Sequence, residues 1–95
     1  MYVMRVEWQV KPGRMQEAVA VLKRIKTTPR FPRRIYSSNW GQFWKISWDF
    51  EVESMDEWQT INKEFAASPE GAEFWKTWNE LVVAGSGQTW VPVDL

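Results

Sequence analysis

Residues 2–10 alternate between two kinds of side chain, with Tyr2, Met4, Val6, Trp8 and Val10 on one side and Val3, Arg5, Glu7 and Gln9 on the other. A period of two belongs to a strand, and this one has a single greasy face. Lys11-Pro12-Gly13 breaks the alternation. Met15, Ala18, Val19, Leu22 and Ile25 then recur at helical spacing, and the pattern carries a first helix to about Thr27. Pro29 and Pro32 end it, since proline has no N–H to donate and its ring crowds the preceding turn. Arg34-Ile35-Tyr36-Ser37-Ser38 predicts a short second strand. Asn39-Trp40-Gly41 tolerates hairpin backbone angles, and a strongly alternating third strand follows. Trp44, Ile46, Trp48, Phe50 and Val52 share one of its faces, and Phe43, Lys45, Ser47, Asp49 and Glu51 share the other.

Ser54-Met55-Asp56-Glu57 has the serine and glutamate spacing of a capping box, so a second helix is expected to start there. Trp58, Ile61 and Phe65 form its apolar stripe. Ser68-Pro69-Glu70 restarts a helix with a cap, a first-turn proline and an acidic residue suited to the helix dipole. Its stripe is Phe74, Trp75, Trp78, Leu81 and Val82. Gly85-Ser86-Gly87 reads as an interruption, and Gln88-Thr89-Trp90-Val91 as a last strand closed by Pro92.

Strand, helix, hairpin, helix, strand is the ferredoxin-like βαββαβ order of the α+β class, read here as one domain over residues 1–95. That order gives a four-stranded antiparallel sheet with the first and third strands at its centre and the helices on one face. The apolar sides of the central strands must take the helices, because burying Arg5, Glu7, Lys45 and Asp49 beneath them would strand charges in the core. The other face stays open, with Val3 and Phe43 among charged groups. A small domain with a partly apolar open sheet has what an isologous interface requires, so a homodimer is expected.

Twelve basic and twelve acidic residues cancel, and overall charge therefore favours neither nucleic acid nor an anionic membrane. The local clusters, basic over Lys23, Arg24, Lys26, Arg30, Arg33 and Arg34 and acidic from Asp49 to Glu73, are read as solvated faces that help steer pairing. There is no cysteine and no histidine. That removes disulfides, thiolate nucleophiles and the commonest base and metal ligand, so no metal site is expected. No basic region leads into an apolar run at the N-terminus and no segment is long enough to span a bilayer, which makes the cytoplasm the expected location.

On four stretches the chain resembles the dimeric α+β barrel proteins, which include the NIPSNAP group and the antibiotic-biosynthesis monooxygenase group. They are Val10-Lys11-Pro12-Gly13-Arg14, Gly41-Gln42-Phe43-Trp44, Glu53-Ser54-Met55-Asp56-Glu57-Trp58, and Ser68-Pro69-Glu70 with Phe74-Trp75. The resemblance implies two sheets facing each other across a two-fold axis, and a space in each subunit able to hold a small organic molecule between the open sheet face and the helices. It also implies an alternative function, a cofactor-independent monooxygenase acting on an aromatic or quinol-like substrate. Members of that kind hold substrate with tryptophan, asparagine, tyrosine and arginine side chains, and by type Tyr36, Asn39, Trp40, Arg5 and Trp90 would serve here. Haem-degrading relatives bind iron through a histidine, which this chain lacks, and no cofactor is expected.

Arg5, Glu7, Lys45 and Asp49 either form a cross-strand ion-pair ladder or line a polar pocket, with the ladder favoured because it needs no ligand. In a closed barrel a carboxylate could have a raised pKa and act as a base, and Glu7 and Asp49 are the candidates, beside Arg5. Tyr36, Asn39, Trp40, Lys45 and Trp90 are the candidate ligand-binding residues. Of the eight tryptophans, Trp8, Trp44, Trp48, Trp58, Trp75 and Trp78 fall on core-facing positions and serve a small domain that needs large apolar side chains. A nucleic-acid module is the remaining reading, since Gly41-Gln42-Phe43-Trp44-Lys45 is similar to the third-strand motif of RNA-recognition domains. Lys45, Ser47 and Asp49 stand where further aromatics would be needed, so no nucleic acid is expected.

Overall fold

The computed structural model describes residues 1–25, 32, 34–38 and 44–94. In chain order the elements are β1 (Tyr2–Val10), α1 (Met15–Ile25), β2 (Arg34–Ser37), β3 (Lys45–Val52), α2 (Met55–Ala67), α3 (Pro69–Leu81) and β4 (Val82–Trp90). The strands form one antiparallel sheet in the order β2-β3-β1-β4, with the two alternating strands at its centre as their pattern requires. Their pairing sets Arg5 opposite Asp49, Val6 opposite Trp48 and Trp8 opposite Ile46, so one face collects apolar side chains and the other charged ones. Fold class and topology are those the residue pattern predicts.

The apolar face carries the helices. Val10, Ile46 and Trp48 from the sheet join Ala18, Val21 and Leu22 of α1 and Phe74, Trp78 and Leu81 of α3 in the main core. A smaller cluster of Met4, Val52 and Ile61 lies under α2. The α1 stripe runs through Val21, which the sequence reading passed over, while Val19 only flanks it. Trp78 is fully buried, with ring centroids 5.3 Å from Trp48, 5.3 Å from Phe74 and 5.9 Å from Trp8.

The helix starts match their sequence signals. Ser54 Oγ accepts from the Glu57 N–H at 3.1 Å, and the Glu57 carboxylate accepts in return from the Glu53 N–H at 2.8 Å. Ser68 ends α2 and opens α3: its N–H reaches the Glu64 and Phe65 carbonyls, and its hydroxyl accepts from the Gly71 N–H. The turn is so tight that a Cβ at Gly71 would overlap the Phe65 carbonyl.

Two expectations are corrected. The last strand does not begin at Gln88, because β4 starts at Val82 directly after α3, and Val83 stands as an extra, unpaired residue between the Val10–Val82 and Gln9–Ala84 pairs. Gly85 lies within this strand opposite Trp8, whose ring occupies the space where a side chain would sit. A glycine that reads as a break is here a place of close approach. Trp44 is not a core residue: it precedes β3 with a left-handed φ of 62° and is 40% exposed. Its carbonyl accepts from the Val10 N–H at 2.7 Å, which ties the entry to β3 onto the end of β1. The hairpin Asn39-Trp40-Gly41, Phe43 and the end of the first helix beyond Ile25 lie outside the described residues. Among the described residues, no helix is long and apolar enough to cross a membrane.

Candidate functional site

Each face of the sheet carries a cavity system of its own. On the helix side, α1 and α2 each pack against α3 more than against each other. Among the described residues the space between the end of α1, α2 and the sheet therefore stays unfilled, as a cleft of about 400 Å³. Val6, Trp8, Trp48 and Phe50 form its floor, Leu22 and Ile25 one wall, and Trp58, Ile61, Phe65, Phe74 and Trp75 the rest, with Pro32, Asn62, Glu64 and Ser68 beside them. Aromatic contacts stiffen the wall: Phe50 and Trp58 meet edge to face at 5.0 Å, and Trp8 and Trp75 lie 5.8 Å apart. The Ser68 hydroxyl is taken up by the Phe65 carbonyl and the Gly71 N–H, and the Asn62 amide donates to the Trp58 carbonyl. The Trp8 Nε1–H is sealed inside the protein with no hydrogen-bond acceptor among the described residues. The lining is thus apolar, and its size falls within the range usual for small-molecule sites.

The open face is polar and ordered. Arg5 grips Asp49 with two hydrogen bonds, Nε to Oδ1 at 2.8 Å and Nη2 to Oδ2 at 2.9 Å. The Arg5 guanidinium also lies 5.9 Å from the centre of the Tyr36 ring, and Tyr36 helps to raise the Arg34 pKa. Asp49 is only 7% exposed. The hydrogen bonds from Arg5 hold its carboxyl below the ordinary aspartate value, outweighing the burial that would raise it. Within the protomer the Asp49 carboxyl is therefore lowered and not raised, because both its oxygens already face a guanidinium.

A pH effect follows with a definite sign. The Asp49 pKa is depressed on folding, so its contribution is complete above the unfolded value and is lost as pH falls through the lower folded value. Asp49→Asn is expected to cost about 1–2 kcal/mol at neutral pH, a modest figure because the Arg5 side chain is 36% exposed and water screens the pair. Urea unfolding of both proteins from neutral to strongly acidic pH checks this, and a difference that grows on acidification would contradict it.

Two shallow grooves cross the open face. One, of about 430 Å³, has Val3, Arg5, Asp49 and Glu51 as floor, with Arg34 and Tyr36 on one side and Trp90, Val91 and Pro92 on the other. The second, of about 320 Å³, is lined by Glu7, Tyr36, Ser37, Ser38, Lys45, Ile46 and Ser47. Of the sequence candidates, Arg5, Asp49, Tyr36 and Trp90 meet in the first, and Glu7, Lys45 and again Tyr36 in the second. Asn39 and Trp40 lie outside the described residues. The four-residue ladder reduces to one ion pair, Arg5–Asp49, because Glu7 faces Ser47 and Lys45 faces Gln9.

The sequence placed one pocket between the open face and the helices, but the sheet itself separates the two. The cleft residues Val6, Ile25, Phe50, Trp58, Ile61 and Phe65 were not singled out as site residues. Their apolar spacing was visible, but a gap between two helices leaves no mark on periodicity.

The fold and the cleft define a ferredoxin-like α+β domain with an apolar cavity under its helices. Solved structures share that fold over nearly the whole chain. A NIPSNAP family protein from Agrobacterium tumefaciens superposes with a TM-score of 0.90 at 13% identity, covering 98% of this chain and 93% of its own. A NIPSNAP domain protein from Burkholderia xenovorans reaches 0.87 at 13% identity, with 98% and 95% covered. An antibiotic biosynthesis monooxygenase gives 0.65 at 9% identity, with 99% and 100% covered. No family model matches the sequence, and no curated protein matches it. At these identities the likeness establishes the shared fold.

Proposed function

We propose that this chain is a homodimeric α+β barrel protein that takes up a small, predominantly apolar molecule in the cleft of each subunit. The observation that carries the reading is the 400 Å³ cleft itself, left open between α1 and α2 and walled largely by aromatic rings, with the Asn62 amide and Ser68 hydroxyl at its side donating to backbone carbonyls. Apolar surface facing a water-filled cavity is unfavourable by roughly 25 cal/mol per Å², so an apolar guest of matching size gains by covering it. Support for the second copy comes from the open sheet face, where exposed Trp90 and Val91 lie beside the half-exposed Arg5 and its buried partner Asp49.

A cofactor-independent monooxygenase acting on an aromatic or quinol-like substrate would need a group beside the substrate to take its proton. Arg5, Glu7 and Asp49 stand on the opposite face of the sheet, and the carboxylate among the described cleft residues is the exposed Glu64. Binding is the function this geometry favours.

Titration with a neutral naphthylamine dye tests it. Saturable fluorescence enhancement at one dye per chain is expected, and Ile25→Trp, which fills the cleft from a half-buried position, should weaken binding at least about tenfold with unchanged far-UV circular dichroism. Absence of saturable binding by neutral aromatic or alkyl probes, or equal affinity in the filled variant, would remove the reading.

A further inference from the structure

Glu7 and Lys45, two opposite charges on the open face, make no ion pair among the described residues. Glu7 lies midway along β1, with Ser47 opposite on β3 and Ser86 opposite on β4. Lys45 begins β3 opposite Gln9. Arg5 on the same face feels the Glu7 charge at longer range, but its hydrogen bonds go to Asp49. Glu7 and Lys45 are half-buried, and both line the 320 Å³ groove with the hydroxyls of Tyr36 and Ser47.

An apolar cover on this face would desolvate a carboxylate and an ammonium without compensation, at a cost of several kcal/mol per ion. A second copy of the same face brings one charge of each sign. In an isologous contact residue i meets j while j meets i, so Glu7 of each copy on Lys45 of the other satisfies four charges at once. The described open face is balanced in the same sense, with Arg5, Arg34 and Lys45 against Glu7, Asp49 and Glu51. We infer that reciprocal Glu7–Lys45 ion pairs between two copies set the register of the homodimer. The inference rests on the dimer proposed above and names the contact that makes it specific.

Charge reversal tests the dimer and the pairing separately. In sedimentation velocity at tens of micromolar the wild type is expected to be dimeric. Glu7→Lys alone and Lys45→Glu alone each set like charges against one another at both contacts and should weaken the dimer at least about tenfold. An equimolar mixture of the two variants should form heterodimers, because every contact between unlike variants again joins a cation to a carboxylate. A monomeric wild type would overturn the dimer reading beneath. A dimeric wild type whose variants also dimerise, with no preference on mixing, would overturn the pairing and leave the dimer standing. Rescue by the double variant E7K/K45E without rescue in the mixture would place the pair inside one subunit and overturn the inference as well. Should either variant fail to fold, the wild-type dissociation constant decides: a several-fold rise between about 0.05 and about 0.5 M NaCl supports the pairing, and a flat response overturns it.

Discussion

Trp78→Ala is expected to lower the folding free energy by about 3–5 kcal/mol, the largest single effect anticipated in this chain. Trp78 is fully buried and stacks on Phe74 with an interplanar angle of 18° while touching Trp48 and Trp8. Truncation removes the apolar burial and leaves a cavity that three stiff neighbouring rings cannot collapse into. A small domain typically has about 5–15 kcal/mol in total, so much of its stability would go. Trp78→Phe, which keeps an aromatic ring in the site, should cost markedly less. Urea unfolding followed by far-UV circular dichroism at one protomer concentration measures both, the fixed concentration being needed because assembly adds to apparent stability. A loss below about 1 kcal/mol for the alanine variant would show that the ring cluster is not the centre of the core.

Gly85→Ala is the second, and the sign of its effect is the test. Within a strand, replacing glycine by alanine ordinarily stabilises by about 0.4–1 kcal/mol, through the reduced freedom of the unfolded chain. Here the new Cβ would fall on the Trp8 ring. That ring cannot swing aside cheaply, since Trp48, Trp75 and Trp78 hold it at centroid distances of 5.5–5.9 Å. The substitution is therefore expected to destabilise by about 2–3 kcal/mol. Because Trp8 also forms part of the cleft floor, dye affinity should fall in the same variant. Gly87→Ala, where a Cβ would meet nothing within 4 Å, is the control and should be neutral or slightly stabilising. Equal behaviour of the two variants in thermal melts would mean that Trp8 does not rest on Gly85.

Gly85 also shows where sequence reading failed. Gly85-Ser86-Gly87 has the composition of a loop, and its strand identity depends on a partner in β1, far away in sequence. Trp44 fails for a related reason: counting by twos puts it on the apolar face of the third strand, but the strand begins one residue later. At Asp49 the pattern shows neither burial nor partner: the Arg5 guanidinium lowers its pKa where burial alone would raise it.

Alternation in β1 and β3, the apolar stripes of the helices and the caps at Ser54 and Ser68 determined the central strands, the helices, their order and which sheet face the helices cover. These are local signals, because periodicity and capping depend on residues only a few positions apart. Tertiary structure alone decided the remainder: that α1 and α2 part to leave an apolar cleft, that Arg5 closes on Asp49, and that Glu7 and Lys45 make no ion pair among the described residues. Each of these depends on the distance between side chains brought together from separate elements, and hydrophobic spacing along a chain says which face is buried without saying how completely that face is filled.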